Sequence, residues 1–133
     1  MRQQEADSDG QAARRLPESE QTEMQFTVGE AQPALSIQIW KNYADSWQMV
    51  LLHPDGSQIA FGDEQMGTVR YLVGGTELLV YYGMPAPYQL QQEIFIELIP
   101  NGSNVFVDSG LWSIRFYPVR IVDGRFSMWL SDA

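Results

Sequence analysis

The chain has 133 residues, of which 44% are hydrophobic and 12% are aromatic. This is the size of one ordinary domain, and its apolar content excludes an intrinsically disordered chain. The net charge is −9 at pH 7 and only eight residues are Lys or Arg, so nucleic acid and anionic membrane surfaces are not expected partners. Cysteine is absent, which excludes disulfide bonds and thiolate metal sites.

The N-terminal segment differs in amino-acid composition from the rest of the chain. Residues 1–23 are almost all polar or small, and Gly10 and Pro17 interrupt any long helix. Such a segment buries too little apolar surface to order itself. We therefore interpret residues 1–23 as a flexible linker or frayed helix and residues 24–133 as the folded domain. No apolar run is long enough for a membrane-spanning helix, and no apolar signal sequence follows Met1.

The remainder of the chain consists of short segments in which apolar and polar residues alternate, separated by Gly- and Pro-containing turns. This is the pattern of β-strands, and no helical apolar period extends past ten residues. The predicted strands cover residues 35–40, 46–52, 58–61, 68–73, 77–82, 92–99, 111–118 and 125–130. Many short strands with such turns predict an all-β fold, an antiparallel two-sheet β-sandwich or jelly roll.

Alternation also predicts which side chains face the core. In the segment 111–116, Trp112 lies in phase with apolar Ile114 and Phe116, so Trp112 is expected to be buried. The segment 92–99 sets Ile94, Ile96 and Leu98 on one face and Glu93, Phe95 and Glu97 on the other. Each of the four tryptophans lies inside a strand pattern, and we expect each to fill the core. The alternative is an exposed platform for sugar binding.

The sequence offers no catalytic residue. Its one histidine, His53, lies in the sequence HPDG, which is typical of a tight turn with Pro in second position. No serine lies in a Gly-x-Ser-x-Gly motif. Glu93 and Glu97 share a face of one strand but lie roughly 13 Å apart, too far for a glycosidase pair. We assign no catalytic residue and no cofactor-binding residue.

Metal binding is the remaining chemical possibility. Carboxylates in turns and loops are the usual ligands of calcium. They occur here at Asp45, Asp55, Asp63, Glu64, Asp108 and Asp123. None forms an EF-hand or a tandem Asp-x-Asp loop, and aspartates that bond their own turns explain the pattern better. We assign no metal ligand, and zinc lacks suitable ligands altogether.

Several longer segments resemble one particular module. They are ALSIQIWKNYADSW, LLHPDG, LLVYYGMPAPYQLQQEIFIELIP and SGLWSIRFYPVRIVDGRFSMWL, which together span Phe26 to Leu130. This region is similar to the jelly-roll domain inserted in the catalytic domain of bacterial subtilisin-like serine peptidases (peptidase family S8). The group includes germination proteases and pseudoproteases of spore-forming anaerobes. In that family the catalytic Asp, His and Ser lie outside the module, and no position of this chain matches them.

The resemblance implies an accessory role without catalysis. The expected partner is the flanking subtilisin catalytic domain of the same polypeptide, with a protein substrate as a further possibility. The stiff, apolar segment GMPAPY is a reasonable docking surface. Its candidate docking residues are Tyr82, Met84, Pro85, Pro87 and Tyr88. As part of such a peptidase, the chain is expected outside the cytoplasm, at the cell surface or with the spore.

A second hypothesis comes from a different functional class. The chain could be a free-standing β-sandwich module that binds carbohydrate or cell-wall material through exposed aromatic side chains. The two hypotheses differ in what surrounds the domain, because only the first requires catalytic motifs in flanking sequence.

Overall fold

The computed structural model describes the backbone of residues 2–6, 11–15, 22–62, 67–83 and 90–131, and the side chains from residue 22 onward in those ranges. These residues form eleven β-strands and no helix, which confirms the all-β prediction. The strands are β1 (Arg2–Ala6), β2 (Gln11–Arg15), β3 (Thr22–Val28), β4 (Leu35–Asn42), β5 (Ser46–Leu52), β6 (Gln58–Gly62), β7 (Gly67–Val73), β8 (Thr76–Tyr82), β9 (Gln91–Pro100), β10 (Gly110–Arg120) and β11 (Arg125–Ser131). In the part of the chain so described, no helix of a length and hydropathy suited to crossing a membrane occurs.

The strands form two sheets. The five-stranded sheet has the order β1-β3-β10-β5-β6, and the six-stranded sheet has the order β2-β11-β4-β9-β8-β7. All pairs are antiparallel except β1 with β3, which is parallel. Strands that are distant in sequence lie side by side, as in the wrapped strand orders of sandwiches and jelly rolls. The predicted two-sheet β-sandwich is confirmed.

The inward faces of the two sheets form one hydrophobic core. Every second residue of the central strands is buried, as the period of two requires. Aromatic rings interlock across the gap between the sheets: Trp47 of β5 lies 5.2 Å from Phe126 of β11, and Phe61 of β6 lies 5.6 Å from Tyr71 of β7. The core is therefore closed by contacts between sheets as well as by the strand ladders.

The predicted strand bounds agree closely with the observed ones. Strand β5 has the predicted bounds, and the other seven predicted strands extend by at most two residues at either end. The predicted face of Trp112 is also confirmed, because its side chain is 0% exposed. Period-two alternation was sufficient here, because the inward positions of the central strands are apolar and buried.

The N-terminal segment departs from the expected linker or frayed helix. The backbone of β1 pairs with β3, and that of β2 pairs with β11. Strand β3 begins at Thr22, two residues before the predicted start of the domain, and the buried carboxylate of Glu23 pairs with Arg115 at 2.6 Å. The physical reason is that β3 and β11 would otherwise leave a row of unpaired N–H and C=O groups, which a polar segment can satisfy through its backbone.

Replacing Trp112 tests the core. We expect Trp112→Ala to lower the free energy of unfolding by about 3–5 kcal/mol, because a closed sandwich cannot collapse around the cavity. The neighbouring Leu111 points to the opposite face and is 51% exposed, so Leu111→Ala is the matched control and should cost less than about 0.5 kcal/mol. Urea unfolding measures both, and equal stability of the two variants would refute the core position of Trp112.

Deletion of residues 1–15 tests the two N-terminal strands. Their backbone ladders satisfy the edges of β3 and β11, so we expect the truncated chain to lose at least about 1 kcal/mol of unfolding free energy. Amide hydrogen exchange in β3 and β11 should speed up, while exchange in β8 and β9 serves as the internal control. Unchanged stability and exchange would instead support a dispensable linker.

Candidate interaction surface

The segment predicted to dock lies after β8. The first candidate docking residue, Tyr82, is the last residue of β8. It is 0% exposed and packs in the core in phase with Leu78 and Val80. A fully buried side chain offers no surface to a partner, so the structure corrects the prediction at this residue. The other candidates, Met84, Pro85, Pro87 and Tyr88, lie outside the described residues.

The predicted turn at His53 is present at the end of β5. The N–H of His53 donates to the carbonyl of Ser57 at 2.8 Å, and the N–H of Gly56 donates to the carbonyl of His53 at 2.9 Å. The His53 ring is buried, and its Nδ1 accepts the N–H of Asp55 at 3.0 Å. That donor assigns the proton of the neutral ring to Nε2, which lies 2.6 Å from Oδ2 of Asp108.

The His53 ring also lies beside a second carboxylate. Oδ1 of Asp55 lies 2.9 Å from Nδ1, so the ring is held between two carboxylates. Within the described residues, no serine hydroxyl hydrogen-bonds to this ring. With both nitrogens engaged, the ring positions the loops that contact it and is not arranged to activate a nucleophile.

Asp108 joins three loops at this end of the sandwich. Its Oδ2 accepts from His53 and from the N–H of Gly75 at 2.8 Å, and its own N–H donates to Oγ1 of Thr76 at 3.0 Å. Its carbonyl accepts from Nε1 of Trp112 at 2.9 Å. Burial opposes ionisation of this carboxyl, but the hydrogen bonds from His53 and Gly75 outweigh it and hold the pKa of Asp108 below its ordinary value. We call His53, Asp108 and Trp112 the His53 junction.

Glycine is required at the turn beside this junction. Gly74 has φ of 56°, in the left-handed region. A Cβ built there would lie 2.8 Å from Nε2 of His53 and 2.9 Å from Oδ2 of Asp108, closer than real contacts allow. The two-residue turn between β7 and β8 therefore carries glycine because the backbone passes directly against the hydrogen-bonded side chains of His53 and Asp108.

A second carboxylate organises the opposite end. Asp45 is 1% exposed and accepts the N–H groups of Val122, Asp123 and Gly124 at 2.7–2.9 Å. The equally buried ammonium of Lys41 donates to the carbonyls of Asn42 and Asp45 and lies 5.5 Å from the ring centroid of Trp47. The charge of lysine argues against a place in the core, although Lys41 is in phase with the buried Ile37 and Ile39.

These contacts explain the aspartates that the sequence offered as calcium ligands. Asp45 and Asp108 receive backbone or histidine donors, and Asp55 receives the N–H of Ser57 at 2.8 Å. Asp123 pairs with Arg125, whereas Asp63 and Glu64 lie outside the described residues. Across the described ranges, no three His, Asp or Glu side chains converge in a way that could hold a metal ion.

The outward side of the six-stranded sheet carries a group of aromatic side chains. Trp129, Gln38, Phe95 and Tyr81 stand side by side on β11, β4, β9 and β8, as the strand registers show. Trp40 occupies the adjacent position on β4, opposite Glu93, and Glu97 lies two residues beyond Phe95. We call this surface the aromatic face, defined by Trp40, Tyr81, Phe95 and Trp129 with Glu93 and Glu97.

The aromatic face corrects part of the tryptophan prediction. Trp47 and Trp112 fill the core as expected, but Trp129 is 43% exposed and Trp40 is half-buried on the outward side. Tyr81 is 42% exposed. Alternation predicts that the side chain of Trp40 points outward, because Trp40 is out of phase with the buried Ile37 and Ile39.

The pH dependence of stability tests the His53 junction. Because the pKa of Asp108 is lowered in the folded state, its contribution is present above the unfolded Asp pKa of about 3.9 and is lost as pH falls through the folded value. Asp108→Asn should therefore destabilise the protein by about 1.5–3 kcal/mol at pH 7, with a smaller difference at pH 3. Urea unfolding at both pH values measures it.

The control for that experiment is Asp123→Asn, which removes a carboxylate whose partner Arg125 is well exposed. An exposed pair of this kind contributes about 0–1 kcal/mol. If Asp108→Asn and Asp123→Asn gave the same small effect at pH 7, the junction would not stabilise the fold.

Comparison with solved structures identifies a related fold, whereas comparison of sequences does not. No protein family matches the sequence, and no curated protein matches it. Among solved structures, the fold is similar to part of the CspB protease of Clostridium perfringens, with a TM-score of 0.79 and 18% sequence identity. The match covers 90% of this chain and 24% of the protease chain. Nearly the whole sandwich thus recurs as about a quarter of a longer protein.

Proposed function

We propose that this chain is a non-catalytic accessory domain of a subtilisin-like serine peptidase of family S8. In this role it braces the catalytic domain or shapes the access of a protein substrate. The observation that carries the proposal is the extent of the structural match: 90% of this chain corresponds to 24% of a protease chain. A domain that recurs as a fraction of a larger enzyme is expected to serve that enzyme.

The chemistry of the described residues supports a role without catalysis. His53 is the only histidine of the chain, and both its ring nitrogens are engaged in the His53 junction. The buried carboxylates of Asp45 and Asp108 likewise accept donors that hold loops in place. These groups stabilise the ends of the sandwich, so the peptidase chemistry would belong to the flanking catalytic domain.

The sequence resemblance supports the same partner. The segments from Phe26 to Leu130 resemble the jelly-roll module of subtilisin-like peptidases, and the observed sandwich has the fold that this resemblance implies. A domain inserted in its host is tethered close to its docking surface, so even a weak contact is favoured by a high effective concentration. A location outside the cytoplasm, at the cell surface or with the spore, remains part of this proposal.

A second candidate function is binding of carbohydrate or cell-wall material. The exposure of Trp129 and Tyr81 favours it, because aromatic rings on a flat sheet can stack on sugars. Retention of the isolated chain on insoluble peptidoglycan, abolished by Trp129→Ala, would support this function instead.

Deletion of this domain from the parent peptidase tests the proposal. We expect the melting temperature of the remaining catalytic domain to fall, by about 2–4 °C for each kcal/mol of lost docking energy. Hydrolysis of a protein substrate should fall more than hydrolysis of a short peptide, which is the control for an intact active site. A parent without a peptidase domain, or a deletion that changes neither stability nor the ratio of the two activities, would contradict the proposal.

A further inference from the structure

The aromatic face has an unusual combination of properties for the outside of a sheet. Its four rings present apolar surface, yet two carboxylates lie among them, on the same strand as Phe95. The outward side of the five-stranded sheet differs, because its centre holds the ion pair of Glu23 and Arg115 with Gln25 beside it. The two outer surfaces of the sandwich are therefore chemically distinct.

Among the described side chains, the charges around the aromatic face leave it acidic. Arg70 is paired with Glu77, and Arg125 is paired with Asp123, so these two cations are already neutralised. The amide of Gln38 donates to Glu93. Among the described side chains, none forms a hydrogen bond or ion pair with the carboxylate of Glu97, which lies opposite Ser36 and Leu79.

A purely apolar partner fits this surface poorly. Covering the aromatic rings would also cover Glu97, and burying an unpaired carboxylate costs several kcal/mol or more. Protein interfaces avoid this by excluding Glu from their centres or by pairing it. An arginine supplied by the partner can pair with the carboxylate and also cover the rings. Its guanidinium bonds a carboxylate, and its flat face stacks on Trp, Tyr or Phe.

We propose that the aromatic face is the docking surface of this domain for a basic, arginine-bearing protein surface. The proposal rests on the proposed function and deepens it, since it names the face that docks and the charge of the partner. The net charge of −9 would add long-range attraction for such a partner.

The size of the face says how strongly a partner can bind. From Trp129 on β11 to Tyr81 on β8 the face spans three strand spacings, about 14 Å, and from Glu93 to Glu97 it extends about 13 Å. A patch on the order of 200 Å² is far below the roughly 800 Å² that each partner contributes to a stable complex. Binding should therefore be weak between separate molecules and effective only where the partner is tethered.

Titration of the isotope-labelled chain with acetylated hexa-arginine amide, followed by NMR, tests the proposal. We expect a dissociation constant on the order of 0.1–1 mM. The indole N–H signals of Trp40 and Trp129 should shift, and those of the buried Trp47 and Trp112 should not. The affinity should fall as the NaCl concentration is raised from about 0.05 to 0.5 M.

Matched variants distinguish the contribution of the aromatic face to peptide binding from the contribution of the net charge. Glu97→Gln and Glu30→Gln change the net charge equally, and Glu30 is exposed in a turn between β3 and β4. We expect Glu97→Gln to weaken binding about fivefold and Glu30→Gln less than about 1.5-fold. Trp129→Ala should likewise weaken binding about fivefold, whereas Leu111→Ala, on the other outer surface, should not. If Trp129→Ala loses the native spectrum, Tyr81→Ala takes its place.

Three results would overturn the proposal. They are no binding at millimolar peptide, equal weakening by Glu97→Gln and Glu30→Gln, or binding of N-acetylglucosamine hexasaccharide in place of the peptide with loss on Trp129→Ala. None of them requires the parent enzyme. The deletion experiment can therefore support the accessory role while the peptide titration refutes the docking face. The titration can likewise support the docking face while the deletion refutes the accessory role.

Discussion

The indole of Trp112 connects the apolar core of the sandwich to its polar end. Its ring lies 6.3 Å from Phe26 on the neighbouring strand and 4.7 Å from the ring of His53, while its Nε1 donates to the carbonyl of Asp108. Because Asp108 also binds the turn at Gly75, the position of one buried indole fixes three loops at once. The His53 junction therefore joins hydrogen-bonded loop groups directly to the apolar core.

At the opposite end of the sandwich, a different set of buried polar groups is hydrogen-bonded in a similar way. There the carboxylate of Asp45 collects three backbone N–H groups, and the ammonium of Lys41 lies against backbone carbonyls and the ring of Trp47. Buried charges are tolerated only where such donors and acceptors surround them. Among the described residues, the buried ionisable groups at both ends therefore anchor loops, whereas the aromatic face carries no such anchoring network of buried carboxylates.

The sequence predicts the central sandwich well because the inward positions of its strands are apolar. A one-residue shift of β9 would turn Ile94 and Ile96 outward, so alternation alone defines both the strand and its buried side. It failed for β1 and β2, where the pairing depends on backbone hydrogen bonds to sheet edges and leaves no apolar period. The outward positions of Trp40 and Trp129 follow from their phase, which here overrides the general tendency of tryptophan to be buried.

Phase also explains why Tyr82 could not serve for docking, since it continues the buried series of β8. No local pattern reveals that Trp129 stands in one row with Phe95 and Tyr81, because β11 is far from β8 and β9 in sequence and joins their row only through β4. The sequence pattern therefore predicts which aromatic residues point outward, but it does not predict that they form one surface.

The carboxylates on β9 give the aromatic face a further property. An exposed group of aromatic side chains tends to pair with its own copy, and a two-fold dimer would bring the same patch of each molecule together. On this face such pairing would place Glu93 and Glu97 of one molecule close to those of the other, and like charges in a desolvated contact are strongly unfavourable. The same two residues would attract a partner that carries arginine. A single pair of side chains can therefore keep copies of this domain apart while leaving the rings available to a basic surface.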